Sequence, residues 1–367
     1  MTTDAAGGVW SYSQELIRQL GALGCEVVIA SLGGPLSEEE RAEARRLTNA
    51  ELHESSYRLE WMEQPWQDVE RATAWIRKLL RDTRCDLLHF NCFGPAAARW
   101  DVPVVLVAHS CVWSWWRAVH GEDPGPEWRR YRDCVVDAIA GADLVVAPTR
   151  AMLDAFRDCY PEAGLGDAGP GRRAAVIPNG IDVSRWPAGD GRKGAFVFAA
   201  GRVWDEAKNL RQLARIAPEL GRPVVIAGEH GRGAFDAGRS AVLLGRLSRA
   251  RTAEYYRSAA AFAHPARYEP FGLAVLEAAL SGCPLVLGDI ASLRELWDGV
   301  ALFVDPDDPA ALRDTLQRLI DDPDERRARG EAARARALRY GARRMAADYV
   351  ERYRSLLDGT LLAEGAA

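Results

Sequence analysis

The sequence predicts an α/β protein made of two Rossmann-like, doubly wound domains, and three observations predict it. Short runs rich in Val, Ile and Leu alternate with longer stretches of helical period, the pattern of strands joined by crossover helices in a parallel sheet. The runs fall into two sets on either side of residues 182–194, which hold Pro187, Gly189, Gly191 and Gly194 and have no period. A chain of 367 residues also exceeds what one hydrophobic core normally organises. The expected domains are therefore 1–185 and 186–340.

In the first domain the strand candidates are 26–31, 86–91, 103–109, 143–148 and 174–178. Gly7 and Gly8 lead into a helix whose apolar positions include Leu16, Ile17, Leu20 and Leu23. A βα unit needs a strand before such glycines, and a central strand takes about five residues. Only Met1, Thr2 and Thr3 are at hand, so the first strand is largely missing. Either the chain starts late or the domain tolerates a stub, and a late start is the preferred reading. In the second domain the candidates are 195–200, 223–227, 241–244, 261–264, 284–287 and 301–304. Ligands of such sheets bind at the carboxyl ends of strands, in the cleft between facing domains, so functional residues are expected just after strands.

Composition narrows the function. No run approaches the roughly 18 apolar residues of a membrane span, which leaves at most peripheral membrane association. The chain opens without a basic segment and apolar run, so a secretory signal is not expected and a cytoplasmic location is. A mixed net charge of −5 offers no basic stripe for nucleic acid, and the Arg-rich stretch 326–344 reads as a solvated helix face. Seven widely spaced cysteines without a C-x-x-C pair read as small buried hydrophobes in a reducing compartment. Asp305-Pro306-Asp307 and Asp322-Pro323-Asp324 precede helical runs and read as caps, so no metal site is expected.

The segment with the most chemistry is 268–284, YEPFGLAVLEAALSGCP. It follows the strand candidate 261–264, and its apolar helix carries Glu277 in the interior, where an unpaired carboxylate is costly. Glu269 falls in the loop before the helix, about two helical turns from Glu277, so the two cannot share one atom. The free amides of residues 271–273, including Gly272 and Leu273, can cradle a phosphate between them. Each carboxylate then accepts from hydroxyls on opposite sides, a layout that matches ribose, diphosphate and hexose in a nucleotide sugar. The plainer alternative is that both glutamates pair with Arg or Lys.

Directly after the candidate 195–200 comes GRVWDEAKN, where Arg202 leaves the strand and Lys208 starts the next helix, so both cations can converge on one anion such as a diphosphate. In the first domain His109 ends the strand candidate 103–109 and is placed for a cleft, although a structural histidine is the plainer reading. Trp113, Trp115 and Trp116 follow, with Trp128 beyond, in a stretch without strand or helix period. They read either as exposed faces for a sugar or apolar acceptor or as packing between domains.

These residues together resemble the family-four retaining glycosyltransferases of the GT-B fold. Gly7-Gly8, His109, the run IPNGID at 177–182, Arg202 with Lys208, and the E-x7-E pair inside EPFGLAVLEAALSG occur in the family's order across nearly the whole chain. The resemblance implies that Glu277 binds ribose hydroxyls, that Arg202 and Lys208 hold the diphosphate with amides near Gly272 and Leu273, and that Glu269 contacts the donor sugar. It implies that His109 serves the sugar or the transferring centre from the opposite domain, that Gly7 and Gly8 line the phosphate side, and that a terminal helix in 341–367 crosses back to the first domain. The implied reaction transfers a hexose from a UDP- or GDP-linked donor to an unidentified hydroxyl acceptor. It retains configuration, uses no metal, and has the departing phosphate act as base. A dinucleotide-dependent oxidoreductase is disfavoured because Gly7-Gly8 does not supply G-x-G-x-x-G. A GT-B glycoside phosphorylase and a catalytically silent nucleotide-binding GT-B protein remain the alternatives.

Overall fold

The computed structural model describes the chain except residues 6, 167, 169–172, 190–193, 195, 230–240 and 360–367. It divides into two compact units, one of Met1–Arg117, Glu122–Ile181 and Ala342–Ala367, the other of Ala118–Gly121 and Asp182–Gly341.

The first unit, to which α4 belongs as far as Arg117, runs β1 (Thr2–Asp4), α1 (Gly8–Ala22), β2 (Val27–Leu32), α2 (Glu38–Ala44), β3 (Ala50–Glu54), α3 (Trp66–Thr83), β4 (Leu88–Phe90), β5 (Val104–Val107), α4 (Val112–His120), α5 (Arg129–Gly141), β6 (Leu144–Ala147), α6 (Arg150–Cys159) and β7 (Ala174–Val176). All its strand pairs are parallel, and they form two sheets, β1-β2-β3 and β4-β5-β6-β7. The first strand is present as a stub of 3 residues, paired Thr2 to Ala30 through Asp4 to Leu32. No ladder joins it to β4; the side chain of Asn91 bridges instead, donating from Nδ2 to the Thr2 carbonyl at 2.7 Å while the Asn91 amide donates to Thr2 Oγ1 at 2.9 Å.

Two expectations need correcting. Strand β3, AELHE, is absent from the sequence-based set because an edge strand with one open side shows no continuous apolar run. The tryptophan stretch is helix α4, with Trp113 buried, so it is neither aperiodic nor an exposed aromatic surface throughout.

The second unit runs β8 (Val197–Ala200), α7 (Leu210–Ile216), β9 (Val224–Ala227), β10 (Ala241–Leu243), α8 (Arg249–Ser258), β11 (Ala261–His264), α9 (Leu273–Leu280), β12 (Leu285–Gly288), α10 (Ala291–Trp297), β13 (Leu302–Val304), α11 (Pro309–Asp321) and α12 (Pro323–Ala337). Its six strands are parallel in the order β10-β9-β8-β11-β12-β13, a doubly wound order that reverses direction between β8 and β11. Val197, Ala199, Val224, Ile226, Ala261 and Ala263 pack on Leu213 of α7 and Leu312, Leu316 and Leu319 of α11. Asp322 caps α12 by accepting from the Asp324 and Glu325 amides, and Asp308 caps α11 through the Ala311 amide.

The last helix, α13 (Ala342–Leu357), belongs to the first unit. Its Met345, Tyr349, Val350 and Tyr353 share a core with Tyr12, Leu16 and Leu20 of α1.

Helix α12 packs closely on the end of α9. A Cβ added at Gly330, inside α12, would sit against the Gly282 carbonyl oxygen well within contact distance. Helix propensity alone makes Gly→Ala favourable by about 1 kcal/mol. We expect Gly330→Ala to destabilise instead, by about 1–3 kcal/mol, because rigid backbone must move. Thermal or denaturant unfolding reads the sign directly, and a stabilised variant would refute this packing.

Candidate functional site

The order of the second sheet singles out the loops after β8 and β11, because crossovers leave on opposite sides of those neighbouring strands and open a crevice at their carboxyl ends. Both charged clusters of the sequence lie in these two loops.

After β8, Gly201 and Arg202 enter a short 3-10 turn, Glu206–Lys208, capped by Asp205. Asp205 is buried; one of its carboxylate oxygens accepts from the Ala207 amide at 3.1 Å and the other from Arg202 Nη2 at 2.6 Å. Arg202 also lies 5.3 Å above the ring of exposed Trp204. Lys208 ends this turn and does not start the following helix, since α7 begins at Leu210 after Asn209 in the left-handed conformation.

After β11, residues 265–269 are pinned to the first loop. Asn209 Nδ2 donates to the carbonyls of Pro265 at 3.1 Å and Pro306 at 2.7 Å, its Oδ1 accepts from Arg267 Nη1 at 3.0 Å, and the Arg267 amide donates to Ala207 O at 2.8 Å. Against that frame Lys208 Nζ donates to Glu269 Oε2 at 2.8 Å. His264, the last residue of β11, is 1% exposed and meets the same oxygen through Nε2 at 2.9 Å. A carboxylate only accepts, so His264 Nε2 carries a hydrogen.

Burial alone would raise the Glu269 pKa, but the Lys208 ammonium and the His264 hydrogen bond outweigh it and hold the carboxyl well below the usual range. Glu269 therefore stays ionised where a free carboxylate would take up a proton. Both neighbours hold Oε2, and Oε1 has no hydrogen-bond partner among the described residues.

Gly272 begins α9 at φ 88 and ψ 70, a left-handed conformation that a side chain would strain, and its Cβ would also crowd Val275 at 3.0 Å. The turn lets Leu273 open a helix of 8 residues directly after the Glu269 loop. Glu277, half-buried on that helix, accepts from Tyr256 Oη at 3.3 Å. Ser292 Oγ donates to the Glu269 carbonyl at 2.5 Å.

The structure thus brings Lys208 and Glu269 into direct contact, ties Arg202 to their frame through Asp205, and places Gly272, Leu273 and Glu277 on the adjoining helix. The plainer alternative from the sequence applies to Glu269 in this state, since its partner is Lys208. His264, Asp205 and Asn209 were missed; the available signal was a polar residue ending an apolar strand, with a glutamate five positions on.

In the first unit, exposed Gly7 at φ 87 precedes α1, and Gly8 is its exposed first residue. His109, half-buried beyond β5, lies 2.8 Å through Nε2 from Asn91 Oδ1 and edge-on to Tyr12 at 4.7 Å and 75°. Burial pushes its pKa down to about 3, so the ring is neutral. Trp113 is packed 6.3 Å from the Tyr160 ring with Arg132 over it, whereas Trp115 and Trp116 are half-buried.

The pattern of the family described as Glycosyltransferase Family 4 matches residues 6–185, and that of Glycosyl transferases group 1 matches residues 194–322. A D-inositol 3-phosphate glycosyltransferase of Frankia alni is 29% identical over 416 residues, covering 98% of this chain and 97% of the relative. One from Xylanimonas cellulosilytica is 32% identical over 291 residues, covering 70% of this chain and 67% of the relative. Among solved structures, Anabaena HepE in complex with UDP-glucose superposes with a TM-score of 0.74 at 17% identity, covering 97% of this chain and 100% of HepE. The chain belongs to the family-four glycosyltransferases and is a glycosyl-transferring enzyme of the GT-B fold.

Proposed function

We propose that the chain transfers a hexose from a UDP- or GDP-linked donor to a hydroxyl acceptor, with retention at the anomeric carbon and without a metal ion. The observation that carries this reading is the Lys208–Glu269–His264 contact at the strand reversal of the second sheet, next to the start of α9. It sets a cation for phosphate, a fixed carboxylate for sugar hydroxyls and a helix N-terminus side by side. The UDP-glucose held by HepE is a donor of this class.

In this reading Arg202 and Lys208 take the diphosphate together with the amides at Gly272 and Leu273. Glu277 takes the ribose hydroxyls, and Glu269 accepts from a donor-sugar hydroxyl through Oε1. The first unit contributes His109 to the sugar or transferring centre and Gly7-Gly8 to the phosphate side; Trp115 and Trp116 are the remaining aromatic candidates for the acceptor. The bond from the anomeric carbon to the phosphate oxygen breaks as the acceptor oxygen bonds to the same face of that carbon. The acceptor's proton passes to the departing phosphate. Stabilising negative charge on that leaving group is then the main catalytic contribution, and cations serve it better than an acid would.

Hydrogen bonds to charged groups contribute about 1.5–3 kcal/mol each, so Glu277→Gln and Arg202→Ala should each weaken nucleotide-sugar binding about ten- to hundredfold. Isothermal calorimetry against UDP- and GDP-sugars measures this, and unchanged affinity in both variants would sink the assignment. Turnover should also survive exhaustive treatment with a chelator. A strict requirement for added magnesium or manganese in the product assay would refute the metal-free reading.

A further inference from the structure

Asn91, just beyond β4, holds His109 through bonds whose directions are fixed by atoms that can only donate or only accept. The Thr2 carbonyl only accepts, so the Asn91 group 2.7 Å away is the amide nitrogen, Nδ2. The Asn91 main-chain amide is committed to Thr2 Oγ1 at 2.9 Å, which anchors the residue on β1 from a second direction. With its nitrogen so placed, the side chain turns Oδ1 toward His109 Nε2 at 2.8 Å. An amide oxygen only accepts, so Nε2 carries the hydrogen. Exchanging the amide nitrogen and oxygen would set two acceptors against each other at Thr2.

Burial keeps the His109 ring neutral, with a single N–H. The second imidazole of this region, His89, is also driven toward the neutral form, chiefly by burial and against an opposing hydrogen bond with Asn91. Tyr12 on α1 holds the His109 ring from its edge. His109 Nδ1 has no hydrogen-bond partner among the described residues, and the residue is half-buried, not enclosed.

We propose that Asn91 is a positioning residue that fixes His109 as its Nε2–H tautomer, so that His109 presents a bare Nδ1 and accepts a hydrogen bond from a ligand hydroxyl instead of donating a proton. The tautomer follows from the first unit alone; its role at the sugar rests on the proposed function.

The test is a two-bond proton–nitrogen spectrum of the full chain labelled at histidine, with His109 assigned from the signal lost in His109→Gln. The wild type should show a neutral His109 protonated at Nε2 between pH 6 and 8. Asn91→Leu, which removes the acceptor, should release the ring to a mixture of tautomers and lower kcat/KM for the nucleotide sugar about tenfold, the size of one hydrogen bond. A wild-type ring protonated at Nδ1, or charged at neutral pH, overturns the proposal without any variant, and so does an unaltered tautomer in Asn91→Leu. If the tautomer behaves as described and no nucleotide sugar is turned over, the proposed function fails while the assignment of Asn91 stands.

Discussion

The ion pair between Lys208 and Glu269 is the constraint around which the second unit is arranged. Their side chains are 15% and 11% exposed, so neither charge is fully solvated, and removing one partner would strand the other at a cost of about 3–5 kcal/mol. The pair also spans the reversal of the sheet, where β8 and β11 are neighbours but their crossovers depart on opposite sides. Nothing in the β8–β11 ladder holds the two following loops together. Asn209 and Arg267 supply a frame of backbone-directed bonds, and the ion pair closes it. His264 adds a second donor to Oε2, so the orientation of Glu269 does not depend on Lys208 alone.

The first unit solves a different problem. Its opening strand pairs with β2 and not with β4, and side chains link the two sheets instead: Asn91 grips Thr2 twice, and His89 Nδ1 pairs with Tyr353 Oη at 2.6 Å. Tyr353 arrives on α13, which reaches this unit only after the chain has completed the second one. The core shared by Tyr12, Tyr349 and Tyr353 is therefore built from residues more than three hundred positions apart in sequence. Folding of this layer depends on a late, non-local contact, whose ordering entropy the large aromatic surfaces must offset.

Much of this was legible in the sequence. Buried parallel strands such as VVLV at β5 and LVVA at β6 are short apolar runs with no alternative environment, and EPFGLAVLEAALSG reads as loop, helix and stop from its glycines and prolines. Strand β3 did not show because Glu51, His53 and Glu54 interrupt the apolar run at a sheet edge. Helix α4 did not show because tryptophans at 113, 115 and 116 occupy its inward face and its flank together, which conceals the period. His264 and Asn91 illustrate a deeper limit. Glu269 is only five positions beyond His264, but the fold of that loop sets their 2.9 Å contact, and His109 follows a different strand, so only the register of β4 and β5 brings it within 2.8 Å of Asn91.

The two units use burial in opposite senses. Glu269 is shielded beside an ammonium and stays charged; His109 is half-buried without a counter-ion and stays neutral. In the proposed reaction, whose developing charge is negative and sits on a departing diphosphate, that division is chemically coherent. In that proposed reaction a neutral ring with a bare nitrogen would orient a hydroxyl and leave the acceptor's proton to the phosphate. Positive charge is concentrated at Arg202 and Lys208, each of which the structure pairs with an acidic partner.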